Sequence, residues 1–142
     1  MRVAVASDHA GYSYKNKIIA FLEDRGITAI DFGTDSDAPV DYPDFVKPAA
    51  QAVADGKAEL GIVVGGSGNG EAITANRFLG IRCALCWNEW SAEHAKKHND
   101  ANMIAIGERT VPLDLALRIV SVWLDNNFEG GRHIPRIDKI DR

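Results

Sequence analysis

A chain of 142 residues can bury one full hydrophobic core, and 46% hydrophobic with 25% charged residues is the balance of a soluble globular protein. The formal net charge of −4 argues against an electrostatic nucleic-acid binder, and no apolar run approaches the length of a membrane span. The opening MRVAVASDHAG has one positive charge and a short apolar run, unlike a secretory signal, and two cysteines make no disulfide framework, so the expected location is the cytoplasm.

Arg2–Ala6 is predicted as a first strand, followed by the polar turn SDHAG. Tyr14, Ile18, Phe21 and Leu22 recur on one face of a helix over 13–25, which Gly26 closes in a left-handed cap. Ile27–Phe32 reads as a second strand and 33–43, rich in Gly, Asp, Ser and Pro, as a loop. Tyr42 and Pro43 lead into a helix over 44–55, closed by Gly56. Leu60–Val64 is an apolar, buried third strand; a helix is expected over 70–78, a fourth strand over 81–87, a helix over 90–98 and a fifth strand over 103–106. The last long helix, 112–126, has Pro112 in its first turn and is apolar on nearly every side. One domain of this size rarely buries a helix so fully, which implies a subunit interface. The tail, 127–142, is polar with mixed charge. With no repeat and no linker, 1–142 is expected to be a single domain.

Strands alternating with helices imply a parallel sheet covered on both faces, with ligands beyond the carboxyl ends of the strands. That rule places SDHAG, the glycine loop and the turn at Gly107-Glu108-Arg109 on one rim, and so gathers Asp8, His9, Ser67, Glu71 and Arg109.

The most informative stretch is GGSGNGEAITAN at 65–76, where four of the first six residues are glycine. Without Cβ atoms, backbone N–H groups can close around an anion, and a helix N-terminus behind them adds partial positive charge. The loop fails the nucleotide patterns. A Walker loop needs G-K-[ST] where Gly70-Glu71-Ala72 stands, and G-x-G-x-x-G needs glycine at position 71. A glutamate beside N–H donors suits proton abstraction next to a carbonyl, because the donors hold the resulting enediolate. Spacing alone supports equally a first-turn acid that complements the helix dipole. A base also needs its pKa raised by apolar surroundings, against the pull of the helix terminus.

Cys83 and Cys86 form a C-x-x-C inside an apolar strand, where positions three apart point to opposite faces; two small buried residues is the preferred reading. His94 and His98 lie four apart on a helix, but Lys96 and Lys97 sit beside them and no H-E-x-x-H is present, so no metal site is expected. On its own, His98 at the helix end reads as a cap rather than an acid–base group. Arg132, His133 and Arg136 form a basic cluster suited to phosphate, although a solvated tail is the simpler reading.

Together, SDHAG, DYPDF at 41–45, GGSGNGEAITAN, HNDANMIAIGER at 98–109 and EGGRHIPR at 129–136 resemble, in order and over essentially the whole chain, the family of ribose-5-phosphate isomerase B and the galactose-6-phosphate isomerase subunits. The resemblance implies a three-layer α/β/α sandwich with a five-stranded parallel sheet, Rossmann-like or flavodoxin-like, acting as a homodimer or tetramer. It implies metal-independent, cofactor-free interconversion of ribose 5-phosphate and ribulose 5-phosphate. Many members carry a cysteine base where this chain has Gly65; a second branch uses a glutamate after the glycine loop, which this chain matches. Glu71 thereby inherits the base role, and His98 ring opening. Asp8, His9, Tyr42, Gly66, Ser67, Gly68, Asn69, Gly70 and Asn99 are implied to contact substrate, with Arg109, Arg132 and Arg136 on the phosphate. The tail 127–142 is expected to serve the site or the dimer. The resemblance also implies a shared site, to which His98 and Arg109 come from one subunit and the glycine loop and base from the other. Two alternatives stand beside this reading: an isomerase for a six-carbon or unphosphorylated sugar, and a non-catalytic module that binds a sugar phosphate.

Overall fold

The computed structural model describes residues 1–142. Five strands, β1 (Arg2–Ser7), β2 (Thr28–Asp31), β3 (Leu60–Gly65), β4 (Cys83–Leu85) and β5 (Met103–Gly107), form one sheet in the order β2-β1-β3-β5-β4. Every pairing is parallel, for example Val5 opposite Ile62 and Val63 opposite Ala105. Six helices surround it: α1 (Tyr12–Asp24), α2 (Pro43–Ala54), α3 (Asn69–Ala75), α4 (Glu89–Asn99), α5 (Leu113–Asp125) and α6 (Ile134–Asp138). No helix is long and apolar enough to cross a membrane.

Alternation along the central strands divides the core in two. Val3, Val5, Ile62, Val64, Ile104 and Ile106 pack against Ile18 and Leu22 of α1, Ala92 and Ala95 of α4, and Ile119 and Trp123 of α5. Ala4, Ala6, Val63, Met103 and Ala105 pack against Val46, Ala49, Ala50 and Val53 of α2 and Ala75 of α3. The expected sandwich is therefore present. Cys83 belongs to the second core and Cys86 to the first, as their spacing in a strand requires. Burial raises both thiols, Cys86 to about 12, so neither is a reactive thiolate.

The elements follow the sequence order, with differences at the ends. Gly26 has φ +77° and the Ile27 N–H bonds the Leu22 carbonyl, the expected left-handed close of α1. Helix α3 stops at Ala75 rather than 78, because Asn76 turns its side-chain amide to the backbone of Cys83, accepting from its N–H at 2.7 Å and donating to its C=O at 2.9 Å. Strand β4 is three residues long rather than seven. At one end the Arg82 N–H leaves the sheet for the Asn102 side chain, and at the other the Trp87 N–H bonds Ser91, which with Asn88 forms a capping box for α4. Pro112 precedes α5 in an extended conformation instead of lying in its first turn. The tail is not irregular throughout: a 3-10 turn at Gly131–His133 leads into α6, entered through Gly130 and Gly131 at positive φ.

Helix α5 buries Ala116, Ile119, Val120 and Trp123 against the sheet. Leu113, Leu115, Leu117, Val122 and Leu124 are partly buried, and Asp114, Arg118 and Asp125 are exposed. Trp123 is fully buried; its Nε1–H donates to the Ala101 carbonyl at 2.9 Å, tying α5 to the turn before β5. Trp123→Phe strands that carbonyl and should lower unfolding free energy by about 1–3 kcal/mol, and Trp123→Ala by about 3–5 kcal/mol, as read from urea denaturation midpoints.

Candidate functional site

The strand order reverses between β1 and β3, and the carboxyl ends of these two strands open the crevice where α/β sheets bind ligands. Asp8 follows β1. It is 8% exposed, and its Oδ1 accepts the N–H groups of Ala10 and Gly11 at 2.9 and 3.2 Å, which fixes the SDHAG turn. The turn lies close against β3: a side chain on Gly11 would strike the Val64 backbone. His9 Nδ1 accepts the Val40 N–H at 3.1 Å, so Nε2 holds the proton of the neutral ring. His9 faces an open cleft with Pro39, Val40, Asp41, Asp44 and Phe45.

The glycine loop begins where β3 ends. The Glu108 N–H bonds the Gly65 carbonyl at 2.8 Å and the Arg109 N–H bonds the Gly66 carbonyl at 3.0 Å, so the turn after β5 holds the loop by its carbonyls. Asn69 N–H turns to the Ser67 hydroxyl. The N–H groups of Gly66, Ser67, Gly68 and Gly70 have no acceptor within the chain. Gly68 caps α3 at φ +83°, with Leu85 and the Ile106 backbone where a side chain would go.

Glu71 lies in the first turn of α3 and is 3% exposed. Its carboxylate occupies the volume that a side chain on Gly65 would need. Desolvation by burial raises its pKa, the charge of Asp8 adds to the rise, and its own backbone N–H opposes it. Burial therefore outweighs the hydrogen bond from its own backbone N–H. Tyr42 closes the first turn of α3, its ring lying against Gly70, and the Arg109 guanidinium crosses Gly66, with Nη1 3.2 Å from where a side chain would begin.

A second group stands elsewhere. His98, in the last turn of α4, has Nε2 3.2 Å from Glu129 Oε1 and stacks on His133 with ring centroids 4.4 Å apart. His94 meets His98 edge-on, and Trp90 stacks on His94. His98, Asn99, His133, Arg136, Ile137 and Ile140 line a cavity of about 410 Å³. Arg132 lies in the adjoining turn, exposed. The Glu129 N–H bonds the Lys97 carbonyl and so anchors the start of this turn to α4.

Asp8, His9, Tyr42, residues 66–70, Glu71 and Arg109 thus gather on the rim. His98, Asn99 and Arg136 gather at the tail, and the cavity they line contains none of the rim residues. Within the chain, the Arg109 guanidinium lies over Gly66 of the glycine loop. His133, expected only within a basic cluster with Arg132 and Arg136, stacks on His98, and Glu129, which has no such expectation, joins them. Their only shared sequence signal is their place in EGGRHIPR, since nothing local shows that this turn folds back on α4.

A model of the family described as Ribose/Galactose Isomerase matches residues 3–140. The chain belongs to that family. It is 43% identical over 139 residues to ribose-5-phosphate isomerase B of Escherichia coli, covering 98% of this chain and 93% of the other. It is 39% identical over 142 residues to D-erythrulose-4-phosphate isomerase of Pectobacterium atrosepticum, covering 99% and 93%. The structure of ribose-5-phosphate isomerase B from Clostridium thermocellum superposes with a TM-score of 0.98 at 50% identity, covering 99% of this chain and 95% of that one. The Mycoplasma genitalium enzyme with bound ribulose-5-phosphate gives 0.96 at 38% identity, covering 99% and 94%.

The raised pKa of Glu71 has a consequence for stability. Between the ordinary glutamate value and the raised one, the folded chain holds a proton that the unfolded chain releases, so stability falls as pH rises through that window. Above it the ionised, buried carboxylate opposes folding in full. Glu71→Gln should therefore melt at a higher temperature than the parent at neutral pH, and the difference should shrink on acidification, as followed by calorimetry.

Proposed function

We propose that this chain is an aldose–ketose isomerase that interconverts ribose 5-phosphate and ribulose 5-phosphate, in the cytoplasm, without a metal or cofactor. The observation that carries the reading is the buried carboxylate of Glu71 in the space left by Gly65, beside a loop whose N–H groups at Gly66, Ser67, Gly68 and Gly70 are unused. A base with a raised pKa next to such donors suits removal of a proton α to a carbonyl, since the donors stabilise the enediolate oxygen as charge develops. Glu71 takes the proton from C2 and returns it to C1. His98 protonates the ring oxygen as the furanose opens. Asp8, His9, Tyr42, Ser67, Asn69 and Asn99 hold the sugar hydroxyls, and Arg109, Arg132 and Arg136 fix the phosphate so that the carbon chain reaches the base.

The site is shared across a homodimer. The placement of His98 in a tail cavity that Glu71 does not line supports this. The glycine loop, Glu71 and Arg109 come from one subunit, and His98, Asn99, Arg132 and Arg136 from the other. A second substrate has specific support: the family includes the D-erythrulose-4-phosphate isomerase relative, so the same chemistry serves a shorter sugar phosphate there.

An isomerisation assay should show turnover of ribose 5-phosphate above that of D-erythrulose 4-phosphate, allose 6-phosphate and free ribose. Turnover should persist after exhaustive chelation. Glu71→Gln should abolish it while keeping ligand affinity within about tenfold, because the change removes proton transfer and little volume. Binding of every sugar phosphate without turnover by the parent would make the chain a binding module.

Subunit mixing tests the shared site. Glu71→Gln and His98→Ala homodimers should each be inactive. A heterodimer of the two holds one site with both defects and one with neither, so exchange should restore about half the activity of the parent dimer. Verified exchange without recovery would place both groups in one chain.

A further inference from the structure

Glu129 and His133, in the turn that folds back on α4, form a compact set of donors with His98. One ligating atom from each of the three lies within 4.8 Å of the others. His133 is 6% exposed, and its Nε2 is buried with no hydrogen-bond partner. A buried ring nitrogen of this kind needs a partner that the chain does not supply. Glu129 Oε1 already stands 3.2 Å from His98 Nε2.

The backbone sets the three donors in place. Glu129 is anchored by its N–H to the Lys97 carbonyl, and the His133 N–H closes the turn onto the Gly130 carbonyl. Both glycines between them, Gly130 and Gly131, have positive φ, which lets the chain reverse within three residues.

We propose that His98, Glu129 and His133 form a binding site for a single divalent transition-metal ion of the Zn²⁺ class, and that occupancy silences the isomerase by engaging His98. Two imidazoles and one carboxylate are a known ligand type for Zn²⁺, leaving a fourth position for water. Tetrahedral zinc with bonds of about 2.0–2.2 Å sets its donors about 3.3–3.6 Å apart, so donors up to 4.8 Å apart must close by more than about 1 Å. The stacked rings of His98 and His133, 19° from parallel, must also rotate so that both nitrogens point at one ion. Arg132 and Arg136 lie near His133 and Lys97 near Glu129, and these charges oppose a cation and weaken its binding. The inhibitory half of the inference rests on the isomerase reading; the binding half does not.

The test uses the full chain, freed of metal by chelation, with Zn²⁺ followed by calorimetry and Co²⁺ by its visible absorption. One ion should bind per chain, with an absorption spectrum of low-symmetry, four- or five-coordinate Co²⁺. Glu129→Gln, a change at an exposed residue, and His133→Asn should each weaken binding about tenfold or more. His94→Ala should retain it. Zn²⁺ should inhibit ribose 5-phosphate turnover reversibly, with activity restored by EDTA. No uptake of either ion by the parent, uptake indifferent to both Glu129→Gln and His133→Asn, or uptake lost in His94→Ala would each overturn the site. Binding at these residues without loss of turnover would overturn the inhibition. A parent with no turnover before metal is added would count against the isomerase reading alone, because the Co²⁺ spectrum still decides the site.

Discussion

A carboxylate buried at the end of the central strand constrains everything around it. Removing Glu71 from water disfavours its charge, and the pull of its own N–H only partly offsets this. The space for it exists because β3 ends in a residue without a side chain. The loop must then pass around the carboxylate, and it does so through Gly66, Gly68 and Gly70. Gly66 gives room to Arg109, Gly70 to Tyr42, and Gly68 takes a backbone conformation that other residues rarely adopt. The buried acid thus accounts for Gly65, while Arg109, Tyr42 and the backbone turn account for the other three.

The sheet supplies the rigidity this arrangement needs. Val63 and Val64 are fully buried in opposite cores, so β3 cannot shift without disturbing both helical layers. The turns after β1 and β5 are fastened to the end of β3, Asp8 by its N–H to the Val64 carbonyl and Glu108 and Arg109 by theirs to Gly65 and Gly66. Because these bonds use carbonyls, the N–H side of the loop is left for a ligand. That polarity is what an oxyanion requires.

The tail group is built on a different support. His98 ends a helix capped by Asp100 in the left-handed conformation, and the returning turn at Glu129–His133 covers it. Its cavity is formed by side chains from α4 and the tail, with no contribution from the ends of β1 and β3. The two groups are chemically complementary, one holding a base and oxyanion donors and the other an imidazole and arginines.

Much of this was legible in the chain itself. Apolar runs placed the five strands, and helical spacing placed α1 and α5, because each of these buries a face that its own residues reveal; the other three longer helices were expected between the strands. The opposite facing of Cys83 and Cys86 matches the strand spacing expected of them, although Cys86 lies one residue beyond β4. The rim set followed from one rule about parallel sheets, and the glycines with Glu71 marked its centre. What the sequence left undecided was the balance at Glu71 between helix terminus and burial, since burial is a property of the neighbours: Tyr42, Asp8 and the space over Gly65 come from three separate parts of the chain. The same holds for the short β4 and the early end of α3, where Asn76 and Asn102 form contacts with partners outside their own elements. The fold of the tail, the joining of Glu129 and His133 to His98, and the position of Arg109 over Gly66 were decided only by tertiary structure, because each depends on where a reversal of the backbone sets down a side chain far along the sequence.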